Sequence, residues 1–231
     1  MQYRCEATTL QGFVQQLACN YLPHGYWFWV SGTVPGNKDP RVIDQRIVTK
    51  YGIDLSRSSR ARRKELGQAN LHYLRFERFF LILATHGIHE FHKAEAQFIR
   101  NVTRNQPIQF AGYSISVKQG GFLTSQSLDS GPIADSKYRV RVQVARARYL
   151  ELLAYFKDVA VRLTSEELGK ELYNVPFEPY APVRRQMLRI LLTVNKTRRA
   201  AGLEPLPYTV LRYQRRIVKP FESPIGSKLV A

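Results

Sequence analysis

Three histidines recur at every third position in one short stretch, as His86, His89 and His92, with Glu90 between the second and the third. Imidazole and carboxylate groups bind Zn²⁺, Mn²⁺ or Ni²⁺, and they also act as general acids and bases. A divalent metal is therefore the one cofactor that this sequence suggests. The corresponding activity would be that of a metal-dependent nuclease or strand transferase.

The same spacing also allows a structural role for the histidines. Two residues separate each histidine from the next, unlike HExxH and unlike the His-hydrophobic-His pair with which replication and transposition nucleases hold their metal. Gly87 also weakens the helical continuity that an i, i+3, i+6 arrangement needs. The alternative is a polar helix entry in which His89 or His92 is exposed to solvent.

Arginines are concentrated near the end of the chain. Between Arg184 and Lys219 there are ten Lys or Arg residues, eight of them arginine, and a single acid, Glu204. Guanidinium binds phosphate bidentately and stacks on bases, so this composition predicts a nucleic-acid-binding surface. The alternative is a solvated basic face with Tyr208 and Tyr213 in the core. The predicted phosphate contacts are Arg184, Arg185, Arg189, Arg198, Arg199, Arg212, Arg215 and Arg216.

A second basic segment, SRSSRARRK at residues 56–64, contains no acid. It is either a loop or the exposed start of a short helix, and it would extend the phosphate-binding surface if it lay on the same side of the fold. Its predicted contacts are Arg60, Arg62, Arg63 and Lys64.

The net charge of the whole chain supports a polyanionic partner. There are 35 Lys and Arg residues against 18 Asp and Glu, which gives a formal charge of +17. DNA or RNA is the expected partner, with an anionic membrane surface or an acidic protein as the alternatives. The same surface would serve a structural subunit that contacts other proteins in a nucleoprotein complex.

Several classes of protein are not expected. No apolar run approaches the length of about 18 residues that spans a bilayer, and residues 1–25 lack a signal-peptide pattern, so we expect a cytoplasmic protein without membrane contact. GxGxxG and GxxxxGK[ST] are both absent, so the sequence gives no support for a nucleotide cofactor.

The elements that must position the histidines centre on residues 71–93. The continuous apolar run 79–84 predicts a strand buried on both faces, and we expect a single central strand over 71–84. His86 would then follow the carboxyl end of that strand, where ligands bind in open α/β sheets. With a strand at 26–34, the segment predicts a β-α-β unit, right-handed if its strands are parallel neighbours.

Caps and periodicity predict the remaining elements. Thr8 or Thr9 caps a first helix, and Asp39 followed by Pro40 starts a second that ends at Gly52. A further helix is expected at about 91–102. A strand at 108–117 changes phase at Gly112, which suggests a bulge.

The second half of the chain is predicted to be mainly helical. An irregular segment at 119–136 precedes a strand at 138–144, a helix from Arg146, a capping box at Thr164–Glu167, a helix from Pro182 to Gly202 and a last strand at 208–219. The expected fold is mixed α/β. It would comprise a sheet-containing region at 1–144 and a helical, arginine-rich region at 145–231, or one continuous core.

Overall fold

The computed structural model describes residues 3–120, 123–124, 133–134 and 136–222. Within these residues the chain forms seven α-helices together with β-sheets, which confirms the mixed α/β class. It divides into two compact units that alternate along the chain. Unit 1 comprises 1–107, 116–140 and 217–231, and unit 2 comprises 108–115 and 141–216.

Unit 1 is built on a five-stranded sheet. The strands are β1 (Glu6–Ala7), β2 (Phe28–Thr33), β3 (Leu71–Phe76), β4 (Phe79–Ala84) and β5 (Arg100–Asn101). They lie in the spatial order β1-β3-β4-β2-β5. The helices of this unit are α1 (Leu10–Gln15), α2 (Pro40–Lys50), α3 (Arg57–Glu65) and α4 (Glu90–Ala94).

The predicted single strand at 71–84 is wrong. Glu77 and Arg78 form a tight turn, with Glu77 at φ 53°, and β3 and β4 pair as an antiparallel hairpin on either side of it. β4 also pairs antiparallel with β2, so β2 and β3 are parallel but β4 lies between them. The predicted β-α-β unit is therefore present in split form, and the condition of neighbouring parallel strands, under which we expected it to be right-handed, is not met. The succession β2, α2 and α3, β3, β4, α4, β5 has the ferredoxin-like βαββαβ order.

β4 is the central strand, and both of its faces are buried, as the apolar run predicted. Ile82 and Ala84 face a core formed with Tyr51, which directly follows α2, and Phe91 of α4. On the opposite face of the sheet, Phe13 of α1 packs against the rings of Phe76 in β3 and Phe79 in β4. Helices thus cover both faces of the sheet.

A buried ion pair joins α2 to β3. The guanidinium of Arg75 donates to both carboxylate oxygens of Asp44 at 2.8 to 3.0 Å, and the Tyr73 hydroxyl donates to Asp44 at 2.6 Å. Bidentate geometry of this kind fixes both position and orientation. Burial raises the pKa of the Cys5 thiol to about 12, and nearby Asp44 adds to the effect, so the thiol stays protonated at neutral pH.

The predicted helix starts are confirmed, but one helix is shorter than expected. Thr9 caps α1 and Asp39 caps α2 through their side-chain oxygens. The helix predicted at 91–102 ends at Ala94, because β5 pairs with β2 and the amide of Val102 donates to the carbonyl of Trp27 at 3.0 Å. Sheet pairing thus replaces the helix over its second half.

The bulge predicted at Gly112 is a hairpin turn instead. Ala111 and Gly112 have φ of 45° and 79°, and β6 (Ile108–Phe110) pairs antiparallel with β7 (Tyr113–Gln119). Two consecutive residues with positive φ match the right-handed twist of the flanking strands. The turn explains the change of phase in the sequence.

The predicted segment 119–136 lies mostly outside the described residues. Its described parts include the short antiparallel pair β8 (Leu123–Thr124) and β9 (Ile133–Ala134). The strand predicted after it is confirmed as β10 (Tyr138–Val144), in a three-stranded sheet of order β10-β7-β6.

Unit 2 contains three further helices, α5 (Arg146–Val159), α6 (Ser165–Tyr173) and α7 (Ala181–Ala200). The capping box between Thr164 and Glu167 is confirmed. The strand predicted at 208–219 is wrong: residues 208–210 form a 3-10 turn and no strand follows among the described residues. The backbone there bonds to loops instead, as when the Arg216 amide donates to Glu178 at 3.0 Å. Within the described ranges, no helix is long and apolar enough to cross a bilayer.

Gly87 is required where the chain leaves β4. Its φ is 135°, and an added Cβ would lie 2.6 Å from backbone atoms of Gln68 and Ala69. We expect Gly87→Ala to lower the free energy of unfolding by roughly 2 to 3 kcal/mol, from backbone strain and overpacking together. In urea titrations, the free energy of unfolding of the control Gly36→Ala should stay within about 0.5 kcal/mol of the wild-type value. The added Cβ would meet no described atom within 4 Å. A Gly87→Ala midpoint equal to that of Gly36→Ala would contradict this account.

Candidate nucleic-acid interface

Helix α7 carries the most concentrated positive charge of unit 2. Its 20 residues include six Lys or Arg and no Asp or Glu. One flank is buried, including Val183, Ile190 and Val194. Four exposed cations share the opposite face, and at about 1.5 Å per residue they extend over roughly 21 Å. We call this row the α7 basic face; it consists of Arg185, Arg189, Lys196 and Arg199.

The α7 basic face has no acidic partners among the residues that the structure describes. Three other exposed cations of unit 2 do have them. Arg148 pairs with a glutamate at 2.9 Å, Arg162 with an aspartate at 2.8 Å and Lys170 with a glutamate at 2.7 Å, all within one helical turn. The charge of the α7 basic face is therefore available to an external anion.

Arg198 does not belong to this surface, so the prediction that it contacts phosphate is wrong. It is 3% exposed. Its guanidinium donates to the carbonyls of Ala160, Leu163 and Glu204 at 2.7 to 3.2 Å and to the Ser165 hydroxyl at 2.7 Å. These carbonyls lie in the connections that follow α5 and α7, so Arg198 holds the two connections together.

Arg212 and Arg60 are also engaged within the fold, and both were predicted to contact phosphate. Arg212 donates to the Phe177 carbonyl at 2.7 Å and lies 3.8 Å from the buried carboxylate of Glu178. Arg60 donates to three backbone carbonyls of unit 1 at 2.6 to 3.3 Å. Both predictions are corrected, because all three guanidinium nitrogens of Arg60 donate within the fold, and the charge of Arg212 is paired with Glu178.

The other predicted C-terminal arginines remain accessible to different degrees. Arg184 and Arg216 are exposed, and Arg184 donates to the Tyr213 carbonyl at 3.1 Å. Arg215 is half-buried, with its guanidinium 4.6 Å from the centre of the Tyr180 ring. Tyr208 and Tyr213 are 58% and 52% exposed, so the part of the alternative that placed these tyrosines in the core is wrong.

The segment 56–64 forms the N-cap, Ser56, and nearly the whole of helix α3, so it is helical, as one of the two predictions for it stated. Arg62 and Lys64 are exposed and Arg63 is half-buried. These residues belong to unit 1, whereas the α7 basic face belongs to unit 2.

The three histidines do not assemble a metal site. His89 caps α4, where its Nδ1 accepts the Phe91 amide at 3.0 Å, and burial lowers its pKa, with further contributions from nearby Arg63 and His92. His92 Nε2 lies 3.3 Å from the Thr85 carbonyl, and His86 is exposed. Among the described residues, no three His, Cys, Asp or Glu side chains are placed to hold a metal ion. The geometry therefore supports a polar start of helix α4, but His89 and His92 are half-buried and not exposed as that alternative expected.

Sequence reasoning left Lys196 out of the predicted contacts, although its position was recoverable. Lys196 stands seven residues after Arg189 and three before Arg199, which places all three on one side of a helix. The signal was helical periodicity, which separates this face from the buried Arg198. No protein-family model matches this chain, and no curated protein matches it.

Proposed function

We propose that this protein binds DNA or RNA through phosphate contacts of the α7 basic face. The observation that carries the proposal is the row of four exposed cations on a helix without a single acid. Duplex DNA carries one negative charge per about 3.4 Å of axis on each strand, so a length of about 21 Å presents on the order of six phosphates per strand. Arginine supplies three of the four cations, and its planar fork matches a phosphate bidentately.

Phosphate contacts position a protein on nucleic acid without reading its sequence. The proposed binding is therefore independent of sequence. This mode suits a structural subunit of a nucleoprotein assembly as well as a protein that acts on nucleic acid alone. The exposed rings of Tyr208 and Tyr213 in the same unit favour contact with unpaired bases, on which aromatic side chains stack.

The test compares two variants that lose the same charge within unit 2. The first replaces Arg185, Arg189 and Arg199 by Gln, which removes three members of the α7 basic face. The control replaces the paired cations Arg148, Arg162 and Lys170 by Gln. Exposed ion pairs contribute little to stability, so we expect both variants to remain folded.

Binding is measured by fluorescence anisotropy against duplex and single-stranded DNA and RNA over a series of salt concentrations. Each lost phosphate contact reduces the log-log salt slope by about 0.9 on duplex, so the first variant should lose roughly two to three units of slope and the control less than one. Equal losses would mean that the attraction is diffuse. An absence of binding to every nucleic acid at low salt would refute the proposal.

A further inference from the structure

A cleft of about 530 Å³ opens within unit 1, beside the sheet face that α2 covers. Its apolar lining includes Val30 of β2 and Phe80 and Ile82 of β4. Ile47 of α2 and Ile99, just before β5, add further apolar surface. Clefts of roughly 300 to 1,000 Å³ with an apolar lining and a few polar groups are typical of small-molecule sites.

A fixed carboxylate lies at this cleft. The Tyr51 hydroxyl donates to Oε1 of Glu95, and Lys50 Nζ lies 3.6 Å from the same oxygen. Lys50 also lies 4.6 Å from the centre of the Tyr51 ring, so the three side chains form one group. Because both contacts use Oε1, the second oxygen keeps its capacity to accept hydrogen bonds.

The lining of the cleft also supplies a stacked cation and an exposed ring. The Arg100 guanidinium lies 5.3 Å from the centre of the Trp29 ring, and the Trp29 indole is held by its hydrogen bond to the Gln106 carbonyl at 3.1 Å. Phe98 lines the cleft and is 65% exposed. An exposed aromatic ring can stack on a planar group such as a nucleic-acid base.

We propose that this cleft binds one nucleotide. The base occupies the apolar cleft against Phe98, the free oxygen of Glu95 accepts a hydrogen bond from an amino group of the base, and Arg100 binds the phosphate. Lys50 and Arg100 against Glu95 leave the lining with a net charge of +1 (two cations minus one anion), which favours an anionic ligand. An apolar aromatic compound would provide no partner for the carboxylate of Glu95 or for the guanidinium of Arg100.

Two kinds of ligand would supply the same base and phosphate: a free mononucleotide, or an unpaired nucleotide within a nucleic-acid strand. The proposal does not depend on the α7 basic face, because every residue of the cleft belongs to unit 1. The two proposals can therefore fail separately. The α7 triple variant should bind mononucleotides as wild type does, whereas cleft variants should retain most of the salt-dependent attraction to duplex.

The experiment titrates the full chain with AMP and with ribose 5-phosphate, and separately with a short oligoadenylate strand and an abasic strand of equal length. The expected result is that AMP, the oligoadenylate strand or both bind roughly 5- to 150-fold more tightly than the matching ligand without a base, the range of one stacked base. A preference for AMP identifies the free nucleotide as a ligand, and a preference for the strand alone identifies an unpaired nucleotide.

Two matched pairs of variants locate the site. Phe98→Ala should abolish most of the preference for a base, whereas Leu66→Ala, at a position 62% exposed, should leave it unchanged. Arg100→Gln should weaken AMP binding, whereas Arg104→Gln, at an exposed position that does not line the cleft, should not. Equal binding of ligands with and without a base would overturn the proposal, and so would a base preference that Phe98→Ala leaves intact.

Discussion

We expect the protein to lose roughly 3 kcal/mol of folding free energy between pH 7 and pH 4 through one side chain, His72. The imidazole stacks on Tyr21 with ring centres 4.3 Å apart and lies 4.7 Å from the Tyr26 ring. The Tyr3 hydroxyl lies 3.0 Å from His72 Nδ1. Burial, assisted by the charge of Arg60, lowers the pKa of His72 from 6.5 to about 3.

The folded and unfolded states bind the proton of His72 at different pH values, and this difference makes stability depend on pH. The unfolded chain protonates His72 near pH 6.5, whereas the folded protein excludes that proton until about pH 3. Between these values the unfolded state binds more protons, so stability falls as the pH falls. The stabilisation is complete above pH 6.5, and at about 1.4 kcal/mol per pKa unit it amounts to roughly 4 to 5 kcal/mol in total.

Urea unfolding at pH 7, 5 and 4 measures this effect. In His72→Phe, which keeps a ring on Tyr21 but cannot titrate, the loss between pH 7 and pH 4 should be smaller by roughly 3 kcal/mol. His24→Gln changes an exposed histidine and should follow the wild-type curve. Parallel curves for wild type and His72→Phe would show that His72 is not the acid-sensitive group.

The second large effect separates two adjacent arginines of α7. We expect Arg198→Ala to lower the free energy of unfolding by roughly 3 to 5 kcal/mol, because three carbonyls and a hydroxyl lose their donor. A buried polar group left without a partner costs about 1 to 3 kcal/mol. Arg199→Ala removes the same charge from an exposed position and should change stability by no more than about 0.5 kcal/mol.

Nucleic-acid binding should rank the two variants in the opposite order. Arg199→Ala removes a member of the α7 basic face and should reduce the salt slope on duplex by about 0.9. Arg198→Ala, measured below its unfolding temperature, should leave the slope close to wild type. Urea titration and salt-dependent anisotropy on the same preparations check both halves of the prediction. Equal stabilities of the two variants would refute the structural role of Arg198.

The sequence by itself determined the elements whose signals are local. Capping residues such as Thr9, Asp39 and Thr164 marked helix starts correctly, because a cap bonds to amides two or three residues away. The alternation at 138–144 correctly predicted β10. The unbroken apolar run at 79–84 correctly predicted a strand buried on both faces, because both faces of such a strand consist of apolar side chains.

Only the tertiary structure decided how these elements pair and which charges stay free. The position of β4 between β3 and β2 and the early end of helix α4 depend on strand pairing with β2, which lies far away in the sequence. Arg198 and Arg199 are chemically identical neighbours. Arg198 is buried by the connections that follow α5 and α7, whereas Arg199 is exposed to solvent. Burial depends on what packs against a residue, so composition could predict a basic surface but could not say which arginines form it.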